Sequence, residues 1–416
     1  MTAKIRLRAL QITPVVRDGE EGFDLHDRAG IAPDVWMPRE LGAVLALCDG
    51  KHDVDEIVEI LQDQGHEIDA AWLEKLIAEL DELFLLESTR LRAREEEIAA
   101  AFKSQTVRRA AFAGRSYPSD ESKLREFLEE KMAQGSQNLP APLYQSERVR
   151  GVVTPHIDFG RGGHVEAASY TPLVENVRAT GKPFDTLVIL GIAHSGVQYP
   201  FCATTQDFAT PFGTAICNRE FVENLREIIG PQLLREQMAH QNEHSVEFSA
   251  VFCQMFDELK SSEIVPILCG GFWESLQTRQ SPEIAEPEVA QFIAALREVT
   301  EKHEKAGKKV GFIASVDGAH VGTQFGDETP LTPEKLAQIK SEDEVWMDAI
   351  EAGDKNALHA HFAKNGNVNN VDAHPALYTL MAAFPDLRGQ KLNYDQAFHP
   401  RENIVVSFAS LALFNA

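Results

Sequence analysis

Four apolar runs in this chain stop at a residue able to do chemistry. Val149-Arg150-Gly151-Val152-Val153 leads through Thr154-Pro155 to His156, and Thr186-Leu187-Val188-Ile189-Leu190 leads through Gly191-Ile192-Ala193 to His194. Ile264-Val265-Pro266-Ile267-Leu268 ends at Cys269, and Val310-Gly311-Phe312-Ile313-Ala314 leads through Ser315-Val316 to Asp317. Near-continuous runs of this kind read as strands buried on both faces. In open α/β sheets ligands bind beyond the carboxyl ends of the strands, so residues far apart in sequence meet there. Two histidines at two such ends form a pair of metal-ligand type, because neutral imidazole is the commonest protein ligand. The competing reading is that each histidine merely caps a strand or holds a loop.

Two further runs carry candidate groups. In Gln241-Asn242-Glu243-His244-Ser245-Val246-Glu247-Phe248, Asn242 is expected to cap a helix that carries His244 in its first turn. The helix dipole there favours a neutral imidazole, suited to a general base. A capping motif with a surface histidine is the plainer alternative. Glu243-His244-x-x-Glu247 is not HExxH, so zincin chemistry has no support. In Val316-Asp317-Gly318-Ala319-His320-Val321-Gly322 the glycines predict a tight loop, with Asp317 and His320 as orienting or proton-transfer partners. Ordinary turn chemistry explains the same residues. The glycines of Phe159-Gly160-Arg161-Gly162-Gly163 suggest close backbone approach to a ligand, but they fit neither GxGxxG nor a phosphate loop.

The elements that must position these groups follow from pattern. From Arg108 onward, strand-like runs alternate with amphipathic stretches such as Pro287 to Glu301 and Pro333 to Glu351. That alternation predicts a three-layer α/β/α sandwich around a parallel or mixed sheet. Residues 1–90 read as a separate small domain. A hairpin is expected around the acidic run Asp18-Gly19-Glu20-Glu21-Gly22, followed by three short helices with Asp53 and Asp69 as caps. This is a winged-helix-like plan. Residues 91–107 read as a solvated linker helix, and 108–416 as the main domain.

The 416 residues carry a formal net charge of −24. Residues 1–90 hold 9 Lys/Arg against 20 Asp/Glu. Phosphate neutralisation needs the opposite sign, so no nucleic-acid partner is expected, even of a winged helix. No run approaches the ~18 apolar residues of a membrane span, and the start lacks a signal-peptide core, so no membrane role is expected. Five scattered cysteines without a CxxC pair argue against disulfides and thiolate zinc, as expected of a cytoplasmic protein.

The segment Leu47-Cys48-Asp49-Gly50-Lys51-His52-Asp53-Val54 resembles the turn of PqqD-like peptide-recognition domains. The main domain resembles the MEMO family, known in bacteria as AmmeMemoRadiSam system protein B. The matching blocks are Ala111-Phe112-Ala113-Gly114-Arg115-Ser116-Tyr117-Pro118, Thr154-Pro155-His156-Ile157-Asp158-Phe159, Leu190-Gly191-Ile192-Ala193-His194-Ser195, Thr210-Pro211-Phe212-Gly213-Thr214, Asn242-Glu243-His244-Ser245-Val246-Glu247 and Ser315-Val316-Asp317-Gly318-Ala319-His320-Val321-Gly322.

That resemblance implies a fold similar to class III extradiol dioxygenases, which hold non-heme iron in a strand-end cleft. His156 and His194 match positions regarded as metal ligands; His244, Asp317 and His320 match other polar cleft positions. A divalent iron, copper or zinc ion is the implied cofactor, and a radical-SAM protein an implied partner. Two departures stand out. Some relatives supply a cysteine ligand near the C-terminus, where this chain has Tyr394-Asp395-Gln396-Ala397-Phe398-His399-Pro400, which makes His399 a candidate third ligand. The family's Cys-Gly before the next helix is replaced by Asp372-Ala373-His374-Pro375. The expected function is metal-dependent redox or dioxygenase-like chemistry on a small organic or peptide substrate. The alternative is a non-catalytic binding module for a modified peptide or a metal ion.

Overall fold

The computed structural model describes residues 4–27, 30–137 and 139–416. The chain divides into two compact units between Ser104 and Gln105.

In the first unit β1 (Gln11–Arg17) and β2 (Glu20–His26) form an antiparallel hairpin, and β3 (Val35–Pro38) adds to β2. The two turn residues, Asp18 and Gly19, both have positive φ, 52° and 87°. Such turns match the twist of the strands they join. Four helices follow: α1 (Gly42–Leu47), α2 (Val54–Asp63), α3 (Ala70–Glu82) and α4 (Thr89–Ser104). Asp53 caps α2 in a reciprocal box with Glu56, and the Asp69 carboxylate accepts the Trp72 N–H to cap α3. Helix α4, expected as a linker over 91–107, belongs to this first unit.

The second unit opens with β4 (Val107–Arg108), α5 (Glu121–Ser136), β5 (Val149–Thr154), α6 (Phe159–Ser169) and α7 (Thr171–Thr180). Then come β6 (Thr186–Ile192), β7 (Phe201–Ala203), β8 (Asp207–Thr210), β9 (Gly213–Ala215), α8 (Arg219–Ile229), α9 (Ser245–Met255) and β10 (Glu263–Cys269). The chain continues through α10 (Trp273–Thr278), α11 (Pro282–Ala285), α12 (Pro287–Lys305), β11 (Val310–Ser315) and β12 (His320–Gly322). It ends with α13 (Pro333–Ala352), α14 (Lys355–Asn365), α15 (Ala373–Ala383), β13 (Leu387–His399) and β14 (Ile404–Asn415).

The main sheet has eight strands in the order β12-β14-β5-β11-β6-β10-β7, with β13 paired to β14. The central four, β5, β11, β6 and β10, run parallel. Their side chains alternate between two cores. Val188 and Leu190 of β6 pack with α8, α12 and α15, whereas Leu187 and Ile189 pack with α7 and α9. Helices therefore cover both faces, the arrangement that continuous apolar strands require.

Two sequence expectations shift here. The glycines after His156 do not form a ligand loop; they lie in helix α6, whose first N–H groups are accepted by the Asp158 carboxylate. A Cβ on Gly162 would meet Ile157 at 2.0 Å, so this glycine serves packing. Helix α9 begins at Ser245, two residues later than an Asn242 cap would set it, with His244 as its N-cap residue. Among the described residues no helix is long and apolar enough to cross a membrane.

Candidate metal centre

The three adjacent parallel strands β5, β11 and β6 each deliver one group two residues beyond their last residue: His156, Asp317 and His194. Helix α9 delivers His244 at its N-terminus, and α15 delivers Asp372 at its own. Close approach of α9 to β6 depends on Gly191, where a Cβ would stand 2.5 Å from Ser245 Oγ.

His156, His194 and His244 bring one ring nitrogen each to within 4.8 Å of one another. The His194 and His244 rings stack at 4.6 Å, and both meet the His156 ring edge-on at 5.1 Å. His156 is fully buried and forms the floor; the His194 side chain is 34% exposed and marks the open side.

Each ring is oriented by a second contact. His156 Nδ1 lies 2.9 Å from the Ser315 carbonyl, which requires a proton on Nδ1 and turns Nε2 toward Asp372; against burial, the Asp317 and Asp372 carboxylates push this ring up to about 10, so without an ion Nε2 is protonated too, and a bound cation would take that proton's place. His194 Nδ1 donates to Glu243 Oε1 at 2.9 Å. Glu243 also accepts the backbone N–H groups of His194, His244 and Ser245. Burial opposes charge on Glu243, but the His194 and His244 imidazoles and these N–H groups hold its carboxyl well below the usual range. A carboxylate behind a ligating histidine fixes its tautomer and raises its basicity. Glu243→Gln is therefore expected to weaken divalent-ion binding by about 10–100-fold, read by calorimetric titration. Unchanged affinity would show that His194 is not a ligand.

The carboxylates form a chain. The His156 N–H donates to Asp317 Oδ1 at 2.9 Å, and the Asp317 N–H donates to Asp372 Oδ1 at 2.7 Å. Asp372 Oδ2 is left 3.2 Å from His156 Nε2 and 4.0 Å from His194 Nε2. Both atoms are buried and, beyond this ion pair, neither has a hydrogen-bond partner. Burial raises Asp317, and the Asp372 charge adds to that; around Asp372, the His156, His320 and His194 rings outweigh burial and keep it low. The pair thus separates into one carboxylate that stays ionised and one that takes up a proton more readily.

His320 opens β12, half-buried, with Nδ1 3.1 Å from the Gly318 carbonyl and 3.2 Å from that of Asn370. Burial pushes His244 down further than the Glu243 carboxylate lifts it, so its ring is neutral. Cys269 ends β10 fully buried, and burial raises its thiol.

His399 stands elsewhere. It ends β13 opposite Ile404, whereas Val153, next to last in β5, lies opposite Leu411 of the same strand β14. Seven residues of extended chain separate those levels, about 23 Å. Among the described residues, the group close enough to share an ion contains His244 and not His399.

Three residues escaped the sequence reading: Asp372, Glu243 and Glu166. Glu166 of α6 is wholly buried with neither carboxyl oxygen hydrogen-bonded. Burial, then the Asp317 charge, push it well above the usual carboxylate range, so it holds a proton.

The family described as Memo-like protein matches residues 108–412. A MEMO1 family protein of Aquifex aeolicus is 27% identical over 406 residues, covering 94% of this chain and 96% of the relative. One of Thermus thermophilus is 25% identical, covering 80% and 90%. One of Methanosarcina barkeri is 28% identical over 310 residues, covering 73% of this chain and 99% of the relative.

Proposed function

The chain belongs to the Memo-like family, and on that footing we propose that its strand-end cleft is a mononuclear non-heme metal centre for redox or dioxygenase-like chemistry on a small organic or peptide substrate. One observation carries this reading. His156 Nε2 and Asp372 Oδ2 face each other at 3.2 Å as a buried ion pair with no further hydrogen-bond partner, and His194 Nε2 lies 4.0 Å from the same oxygen. Ligand-type atoms from three separate elements thus converge on one buried point, where a divalent cation would replace the proton shared by this pair. Two imidazoles and one carboxylate with an open side are the donor set of non-heme Fe(II) oxygenases. No cysteine stands among these donors, which disfavours Cu(I) relative to Fe(II) or Zn(II).

His156, His194 and Asp372 would hold the ion, which supplies Lewis acidity or O₂ activation when bound. The protein's own residues do the remaining work. The Ser315 carbonyl and Glu243 fix which ring nitrogens point inward. Neutral His244, on the solvent side, is placed to accept a proton from a substrate group entering past His194. Asp317, whose Oδ1 accepts the His156 N–H, holds that residue in place beside the ion.

The test loads the full chain with Fe(II) under argon and measures stoichiometry, then O₂ uptake with catechols and with aromatic peptides. One ion per chain in the wild type, lost in His156→Ala and His194→Ala, supports the reading, and substrate-dependent O₂ uptake completes it. Equal binding by the wild type and both variants would overturn the site. Metal binding without O₂ uptake for any substrate would leave a binding module.

A further inference from the structure

A second charged site lies at the opposite end of the sheet. The parallel strands β5, β6 and β11 start at Val149, Thr186 and Val310, about 20 Å of strand away from the ends that carry the histidines. Here a groove of about 390 Å³ is lined by Arg150, Lys182, Lys308 and Lys309, with Glu147 and Glu304 as its only carboxylates. With Asp185, which pairs with Lys308 at the rim, four cations stand against three anions, a local excess of positive charge on a chain of net charge −24. Such an excess concentrates anions.

Two of the four cations, Lys182 and Lys309, are held without an ion-pair partner. Lys309 Nζ donates to the Lys182 carbonyl at 2.6 Å and the Thr180 hydroxyl at 3.1 Å, and it lies 4.3 Å over the Phe184 ring. Lys182 Nζ donates to the Gly307 carbonyl at 2.9 Å. Among the described residues neither ammonium has a carboxylate within ion-pair distance. Lys308 pairs with Asp185 at 3.4 Å and Arg150 with Glu304 at 2.7 Å. The Arg150 guanidinium is fixed between the Phe312 and Phe384 rings, and its Nε is buried without an acceptor. In keeping with this uncompensated charge, burial and then the neighbouring Lys182 ammonium push Lys309 down to about 8.

We propose that this groove is a binding site for a small phosphate-bearing anion, a phosphate monoester or a diphosphate. Two unpaired ammoniums match a doubly charged group, and lysine binds phosphate as a point charge without demanding planar geometry. The volume suits an anion of that size.

The experiment uses the full chain freed of metal by chelation, titrated calorimetrically with inorganic phosphate and with pyrophosphate. Expected are saturable binding of one pyrophosphate per chain, weakening with salt, and at least about tenfold loss in the Lys182→Met/Lys309→Met double variant. His156→Ala, which alters only the other end of the sheet, should bind as the wild type does. Should the double variant melt early, Lys182→Gln alone serves, since this exposed ammonium makes a single carbonyl contact; its loss should still weaken binding severalfold. No saturable pyrophosphate binding, or equal binding by the lysine variants, overturns the site. Binding that disappears in His156→Ala would place the anion at the metal centre and overturn it equally.

Discussion

Asp372→Asn is expected to lower divalent-ion affinity by more than about 100-fold while leaving the fold intact, and His399→Ala to leave that affinity within about twofold. The two halves of the Asp372 carboxyl do different jobs. Oδ1 accepts the Asp317 N–H and ties α15 to the end of β11; Oδ2 faces the two histidines. An asparagine keeps the first contact through its carbonyl oxygen and puts an N–H₂, which cannot ligate a cation, in place of the second. Thermal unfolding of the metal-free variant should show a modest loss from removal of the buried His156–Asp372 ion pair, and the large loss should appear in metal titration. Asp372→Cys should restore binding with a changed preference, toward Cu(I), because a thiolate is the softer donor. If Asp372→Asn binds Fe(II) as tightly as the wild type, the carboxylate is no ligand. The centre is then the three imidazoles alone.

Asp372 also shows where the sequence stops being readable. An Asp at a helix N-terminus ordinarily caps its own helix. Asp372 occupies the N-cap position of α15 yet makes no side-chain cap bond; its oxygens go to Asp317 and to the histidine pair. Nothing in Asp372-Ala373-His374-Pro375 distinguishes that use from an ordinary cap, although the family's cysteine stands at this point. For His399 the sequence offered only adjacency. Its position just before the last strand suggested proximity to the cleft, whereas its strand partner Ile404 lies seven residues along β14, about 23 Å, from the partner of Val153. What was legible were features set by local pattern. The buried strands announced themselves by unbroken apolar runs, and their ends put His156, His194 and Asp317 together. Turn and cap residues such as Asp18-Gly19, Asp53 and Asp69 placed the first unit's elements. Which carboxylate oxygen turns inward depends on packing between β11 and α15, residues 55 apart in Asp317 and Asp372.

Glu247→Ala should destabilise the second unit by about 3–5 kcal/mol, the cost of leaving a buried charge unpaired. Arg108 is 1% exposed and its Nη1 lies 2.5 Å from Glu247 Oε2, which is wholly buried. The guanidinium also donates to the His240 and Glu243 carbonyls at 2.5 and 2.8 Å and sits 4.9 Å over the Phe208 ring. Glu247 in turn accepts the Ala111 and Phe112 N–H groups and the Tyr117 hydroxyl. Burial and the Glu247 charge both push that hydroxyl up, so it stays protonated and donates. The pair therefore joins the 108–117 segment to the loop that carries Glu243 and His244, and Phe112 packs 5.5 Å from the His244 ring. Removing Glu247 orphans a cation and three donors at once; Glu247→Gln keeps acceptor capacity for some of them and should cost less. Arg108→Met/Glu247→Leu, with no charge left to strand, should be less destabilised than either single alanine variant. Urea unfolding measures the stability. Metal titration of the folded variants measures the second consequence: with the Glu243 carbonyl released by Arg108, the carboxylate behind His194 loses its fixed position and affinity falls. A double variant as unstable as the sum of the singles would mean that Arg108 and Glu247 act on this segment independently.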